Sequence, residues 1–241
     1  MDERDDIGGP AARPASFADQ VYGRILDSIL AGEFPTGTRL PSETRLGEIY
    51  GVSRPVVRDA LARLRRDGLI DIRKGSGSHV RATPPADLST LADLNQVARY
   101  QRFQEFRVVL EGAGAALAAE RRDAAALARI EAAHQAFVAE IRAGRFHWSF
   151  DRALHLAVAE AAGNEFFVRG LEGPELALGD FMNVSLSLTS SRSPERGELV
   201  IREHAGIVDA IRSGDPLSAK VAMEHHLLQS RKRMLDRTLA P

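Results

Sequence analysis

The chain has 241 residues, 44% hydrophobic and 27% charged, with a formal net charge of -1. That length suits two modest domains, each able to bury a core, and the composition is that of an ordinary globular protein. The absence of cysteine excludes disulfides, Cys-type zinc sites and Cys nucleophiles, and no apolar run approaches the roughly 18 residues of a membrane span.

Residues 1–16, MDERDDIGGPAARPAS, are polar and acidic with Gly and Pro, and read as a disordered tail rather than a signal peptide. A cytoplasmic protein is the expectation. Tyr22, Ile25, Leu26, Ile29 and Leu30 recur with helical period. Gly32, Pro35 and Gly37 end that helix. Ser42 is placed to cap a short helix over 43–50, closed by Gly51. Ser53 is placed to cap the next, over 54–67, with Pro55 tolerated in its first turn. Gly68 closes it. Short strands are expected over 69–73 and 78–81, around a Lys74-Gly75-Ser76-Gly77 tip. From Phe17 to Arg81 there are 11 Lys/Arg against 8 Asp/Glu, a modest basic excess where a polyanion would be met.

A Thr-Pro-Pro stretch marks a linker over 83–90. Beyond it, helical period predicts helices near 89–120, 123–143, 146–162, 165–189, 196–213 and 215–237, with Pro174 kinking the fourth. Abundant alanine and the absence of β-branched runs favour an all-α antiparallel bundle over 91–238. The fold class is therefore mainly α: a three-helix winged helix-turn-helix over 17–82, with a small β-wing, joined to a helical bundle.

Two helices joined at Gly51-Val52-Ser53 have helix-turn-helix spacing. Arg54 and Arg58 lie one turn apart on the second helix, while Val57, Leu61 and Leu64 form an inward face. The arginines are then free to meet a major groove, where a guanidinium can pair bidentately with guanine. Arg63, Arg65 and Arg66 are weaker candidates. The Lys74-Gly75 tip suits a wing on phosphate or in the minor groove.

In the bundle, Asp151 and His155 project one turn apart from one helix face. His204 lies on an apolar stripe with Val200, Ile207, Val208 and Ile211. His226 lies beside Ala222, Met223 and Leu227. Three imidazoles and a carboxylate converging in a bundle suit a divalent ion such as Zn²⁺, Ni²⁺ or Mn²⁺. Periodicity alone leaves open that these are hydrogen-bonded core histidines.

Residues 40–77 resemble the GntR family of bacterial regulators. Leu40-Pro41-Ser42-Glu43, Gly51-Val52-Ser53-Arg54, Val57-Arg58-Asp59-Ala60-Leu61, Gly68-Leu69-Ile70 and Gly75-Ser76-Gly77 carry the resemblance. It implies that Arg54 and Arg58 touch DNA. An arginine usually follows the Pro-Ser-Glu; here Thr44 takes that place and Arg45 follows, so both join the DNA-contact set. Pro55 also stands one residue earlier than the proline common in the family.

The region from about Leu91 to Leu235 resembles the FCD effector domain of the FadR-type subfamily. Arg107-Val108-Val109-Leu110-Glu111, Asp151 to His155, Gly163-Asn164, Glu203 to Ile207 and Ala222 to Leu227 carry it. The resemblance implies a metal held by Asp151, His155, His204 and His226, with His225 the rival for the last position. It also implies an effector contact at Arg107, which can equally form a salt bridge with Glu111. Asn183, Ser185 and Ser187 can offer hydrogen bonds to an effector, or be polar spots on a helix. The implied protein is a homodimeric repressor on a near-palindromic operator, controlled by a small carboxylate. A regulator sensing a bulky ligand such as acyl-CoA without metal, and a metal-dependent enzyme, are the competing readings.

Overall fold

A computed structural model describes residues 16–73, 75–81, 94–145, 147–173 and 194–235. The expected linker and residues 1–15 of the expected tail lie outside the described residues; Ser16, its last residue, does not belong to a tail. The first helix, α1 (Phe17–Leu30), begins with a capping box. The Ser16 hydroxyl accepts from the Asp19 N–H at 3.2 Å, and the Asp19 carboxylate accepts from the Ser16 N–H at 2.8 Å. Ser16 thus belongs to the helix start. Ser42 caps α2 (Glu43–Tyr50) through the Arg45 N–H at 3.2 Å. Gly51 ends α2 in the left-handed region at φ 66°, which suits a residue without Cβ. Gly47 meets the turn from the other side: a Cβ there would stand 3.0 Å from the Val52 carbonyl oxygen.

The third helix, α3, spans Arg54–Arg66, and Asp67 is its C-cap rather than its last residue. Ser53 occupies the N-cap position, but its side chain makes no cap bond, so the expected hydroxyl cap is absent. Two antiparallel strands, β1 (Ile70–Arg73) and β2 (Gly77–Val80), pair Ile70 with Val80 and Arg73 with Gly77 to form the wing. Tyr22, Ile25, Leu26 and Ile29 of α1 close on Val57, Ala60, Leu61 and Leu64 of α3, all buried. Each large apolar side chain fully buried this way stabilises the fold by about 1.5–3 kcal/mol.

The bundle is built from α4 (Leu94–Arg121), α5 (Ala124–Arg142), α6 (Trp148–Ala161), α7 (Pro194–Ser213) and α8 (Pro216–Leu235). Residues 165–173 are also helical, as far as the predicted fourth bundle helix can be followed; Pro174 and the rest of it lie outside the described residues. Ala115, Ala118 and Ala119 let α4 lie close to its neighbours. Its core partners are Leu154 and Val158 of α6, Ile207, Val208 and Ile211 of α7, and Met223 and Leu227 of α8. The first turns of α4 do something else. Val97, Ala98, Tyr100 and Phe103 enter the core of the helix-turn-helix, with Trp148 packed against them. The two halves therefore share apolar packing. Among the described residues no helix is long and apolar enough to cross a membrane.

Candidate functional site

The two arginines of the recognition helix face outward. Their side chains are 62% and 64% accessible. The Glu43 carboxylate accepts from Arg58 Nε and Nη2 at 3.3 and 3.0 Å, and Arg54 Nη2 lies 3.7 Å from it. The Arg58 hydrogen bonds lower the Glu43 carboxyl below its ordinary value. Arg45 pairs with Glu48 at 2.9 Å on the exposed side of α2, and Thr44 is exposed beside it. Gly75, at φ 76°, turns the wing tip; Lys74 lies outside the described residues. Arg63 bonds Asp19 and Asp59, and Arg66 pairs with Glu105, so both are engaged in packing.

Asp151, His155, His204 and His226 converge from α6, α7 and α8. One donor atom from each lies within 4.8 Å of all the others. His204 Nε2 stands 3.3 Å from His226 Nε2 and 3.4 Å from Asp151 Oδ1, and His155 Nε2 is 3.7 Å from Asp151 Oδ2. An ion bound at about 2.1 Å to each nitrogen sets neighbouring donors about 3.0–3.4 Å apart; the first two separations fall in that range and the third lies just beyond it. The three histidines are buried, and His155 Nε2 has no hydrogen-bond partner although it is enclosed. An enclosed lone pair aimed at a carboxylate and two imidazoles fits a ligand atom better than a packing residue.

Outer carboxylates fix the rings. His155 Nδ1 donates to Glu111 Oε2, and His226 Nδ1 donates to Glu203 Oε2 at 2.9 Å. Each bond holds the proton on Nδ1 and turns Nε2 inward. Glu203 is held in turn by Arg233 at 2.6 and 2.9 Å, and Glu111 by Arg107. Arg107 Nη1 reaches Gln104 at 3.5 Å, and Gln104 donates to Tyr100. Tyr100, Gln104, Arg107 and Glu111 thus form a buried polar ladder along α4, from the shared core to His155. Arg107 forms a salt bridge with Glu111.

The charges respond to this enclosure. Burial, reinforced by the His204 charge, pushes the His226 imidazole down to about 3. Burial likewise lowers His204. Burial also acts to lower His155, but Glu111 and Asp151 outweigh it and hold that ring above its ordinary value. For Asp151, burial favours the neutral acid, but the facing histidines hold the carboxyl far below its usual range. Leu110, Gly114, Val158, Ala159, Phe167 and Leu171 lie beside His155 and Glu111, an apolar wall against the site.

The sequence pattern pointed to the four donors but not to Glu203, Arg233 or Glu43. Glu203 adjoins His204 in sequence, yet it serves His226, 23 residues on; only the packing of α7 on α8 brings them together. His225 is exposed and bonds Gln229 at 3.2 Å, so it faces away from the cluster. His147 accepts from the Ser149 N–H at the start of α6. Asn183, Ser185 and Ser187 lie outside the described residues.

A winged helix-turn-helix with exposed arginines on its second helix, tied to a helical domain with a buried donor cluster, defines a DNA-binding regulator. Residues 17–80 match the bacterial regulatory proteins of the gntR family, and residues 103–229 match the FCD domain. The transcriptional repressor NanR of Enterobacter sp. (strain 638) is 31% identical over 90% of this chain and 85% of that protein. LutR of Bacillus subtilis (strain 168), a transcriptional regulator, is 30% identical over 81% of this chain and 91% of its own length. The solved structure of Lar, which controls the expression of the Listeria monocytogenes agr system, has a TM-score of 0.52 and 19% identity over 92% of this chain and 98% of that one, a likeness of fold. The chain belongs to the GntR family of transcriptional regulators, in its FadR-type branch with an FCD domain. The relatives NanR and LutR are named as transcriptional regulators, not as enzymes.

Proposed function

We propose that the chain is a cytoplasmic, homodimeric repressor whose operator affinity is set by a small organic acid at a divalent-metal site in the FCD domain. The convergence of Asp151, His155, His204 and His226 on one buried point carries this reading. These four residues would hold Zn²⁺, Ni²⁺ or Mn²⁺, and a bound ion would supply a Lewis-acid anchor for a carboxylate. Glu111 and Glu203 orient the imidazoles, and the apolar wall excludes water from one side.

Arg54 and Arg58 read base edges in the major groove, with Thr44 and Arg45 beside them. Lys74 and Gly75 meet the backbone from the wing. Two chains related by a two-fold axis would place their recognition helices in successive major grooves, about 34 Å apart, on a near-palindromic operator. Repression accords with the name of the relative NanR. Arg107, which bonds Glu111 beside His155, is the candidate effector contact, with Asn183 a further candidate. Arg107 would pair with the acid by sharing its bond to Glu111. An acid changes operator affinity only if it favours one arrangement of the two halves.

A thermal-shift screen of organic acids on the zinc-loaded chain tests the reading. At least one acid should raise the melting temperature and change binding to an operator duplex. Acids that bind without moving operator affinity, or a bulky acyl-CoA that binds equally well after chelation, would contradict it.

A further inference from the structure

The recognition helix ends on a buried carboxylate that the FCD domain holds. Asp67, the C-cap of α3, accepts from Arg231 Nε at 2.6 Å on Oδ1, and Arg231 Nη2 stands 2.5 Å from the same oxygen. Its other oxygen accepts from the Tyr22 hydroxyl at 2.8 Å. Arg231 Nη2 also reaches Glu105 of α4 at 3.3 Å, and Glu105 takes Arg66. Arg231 and Asp67 are 164 residues apart in the chain, and both are buried. A second carboxylate works the same way. Asp19, fully buried, joins Arg63 of α3 at 2.8 Å to Arg102 of α4 at 2.6 Å. In both cases the DNA-binding half supplies the buried acid and the FCD half an arginine.

We propose that Arg231 is a positioning residue for operator reading: by holding the Asp67 carboxylate it fixes the pose in which Arg54 and Arg58 meet DNA. The lever is short and stiff. Arg58 and Asp67 are nine residues apart on one helix, about 13 Å at 1.5 Å per residue, so a tilt at the C-cap is carried to the base-reading end. A fixed recognition helix also loses less orientational freedom on binding than a loose one.

A simple stabilising role accounts for the pair less well. Burial raises the Asp67 carboxyl above its ordinary value against the pull of Arg231 and Tyr22. Enclosed ion pairs of this kind add little net stability and do fix one geometry. The placement of Arg231 adds a connection. It lies on α8 between the ligand candidate His226 and Arg233, which holds Glu203 against that histidine. One stretch of α8 therefore touches both the cluster and the end of the recognition helix. That connection rests on the metal reading; the positioning role does not.

The test uses the full chain and a duplex selected from a random pool by the wild type, with an unrelated duplex as control. Binding is read by fluorescence anisotropy at fixed salt. Arg231→Met and Asp67→Asn should each weaken the selected duplex fivefold or more. Binding to the unrelated duplex, held by phosphate charge alone, should change less than twofold. The double variant should be no weaker than the weaker single, and Arg231→Lys, which keeps the charge and loses the fork, should lie between. Should Arg231→Met fail to fold, Asp67→Asn and Arg231→Lys carry the same comparison. Undiminished or tightened binding to the selected duplex, equal losses on both duplexes, or losses that multiply in the double variant would overturn the proposal. Zinc content measured alongside separates the two readings, since the positioning result stands whether or not the chain holds metal.

Discussion

The DNA-reading surface and the histidine cluster use charge in opposite ways. Arg54 and Arg58 sit in solvent, loosely joined to one carboxylate that lies on the neighbouring helix. The cluster sits in the bundle, where burial shifts nearly every ionisable group and two of the three imidazoles, His155 and His226, are each held by an outer carboxylate. A surface that meets a polyanion needs charge that is free to pair; a site that admits a small ligand needs donors held before it arrives. The first can be encoded in one segment of chain, whereas the second needs three helices in register.

The sharpest way to break this contrast is to remove a donor. His204→Ala should weaken metal binding by about 100-fold or more, as read by titration with zinc, while operator-length DNA is still bound by the intact arginines. Loss of an outer carboxylate is the next step down. Glu203→Gln should lower metal affinity by about 10–100-fold, the usual effect of such partners, and unchanged affinity would show that the carboxylate does not orient His226. On the exposed side, Arg58→Ala should cost about 1–3 kcal/mol on a selected duplex and relax the choice of base it reads. An equal loss on every duplex would mean that Arg58 meets phosphate only.

Acid should separate the two regions further. His204 and His226 are held below their unfolded values, so the unfolded chain takes up protons first. The stability they contribute is fully present above about pH 6.5 and is lost as the pH falls towards 3. Asp151 and Glu111 act in the same direction at lower pH, their carboxyls being held down in the folded chain. His155 is raised and acts oppositely: its share is present below about pH 6.5 and lost above its folded value. With two depressed imidazoles against one raised, the metal-free chain should lose about 1 kcal/mol per pH unit or more just below pH 6 in urea titrations. His226→Phe should flatten that slope. The smallest effects lie at the helix caps. Ser42→Ala should cost about 1 kcal/mol, and Ser53→Ala only a few tenths, because only Ser42 makes the cap bond.

Local features were legible in the sequence because local rules make them. Helical period, Gly51 and Ser42 place α1 to α3 within a few residues, and the stripes around His204 and His226 correctly point both rings inward. Contacts between distant segments were not legible. Nothing near Tyr100 or Phe103 announces that the start of α4 completes the core of the DNA-binding half. Nothing near Arg231 names Asp67 as its partner, since a buried arginine and an exposed one look alike in a string of letters. Arg107 shows the intermediate case. Its bond to Glu111 is a helical i, i+4 pair and was visible, whereas the continuation of that pair to His155 depends on how α6 packs on α4.

The central claim is that four residues scattered over 76 positions form one metal site in a DNA-binding regulator. Elemental analysis of the untagged full chain, dialysed against zinc and then against metal-free buffer, tests it most directly. The account predicts one ion per chain in the wild type and almost none in His204→Ala, with both proteins folded. A wild type that retains no stoichiometric metal, or a variant that retains as much as the wild type, would contradict it.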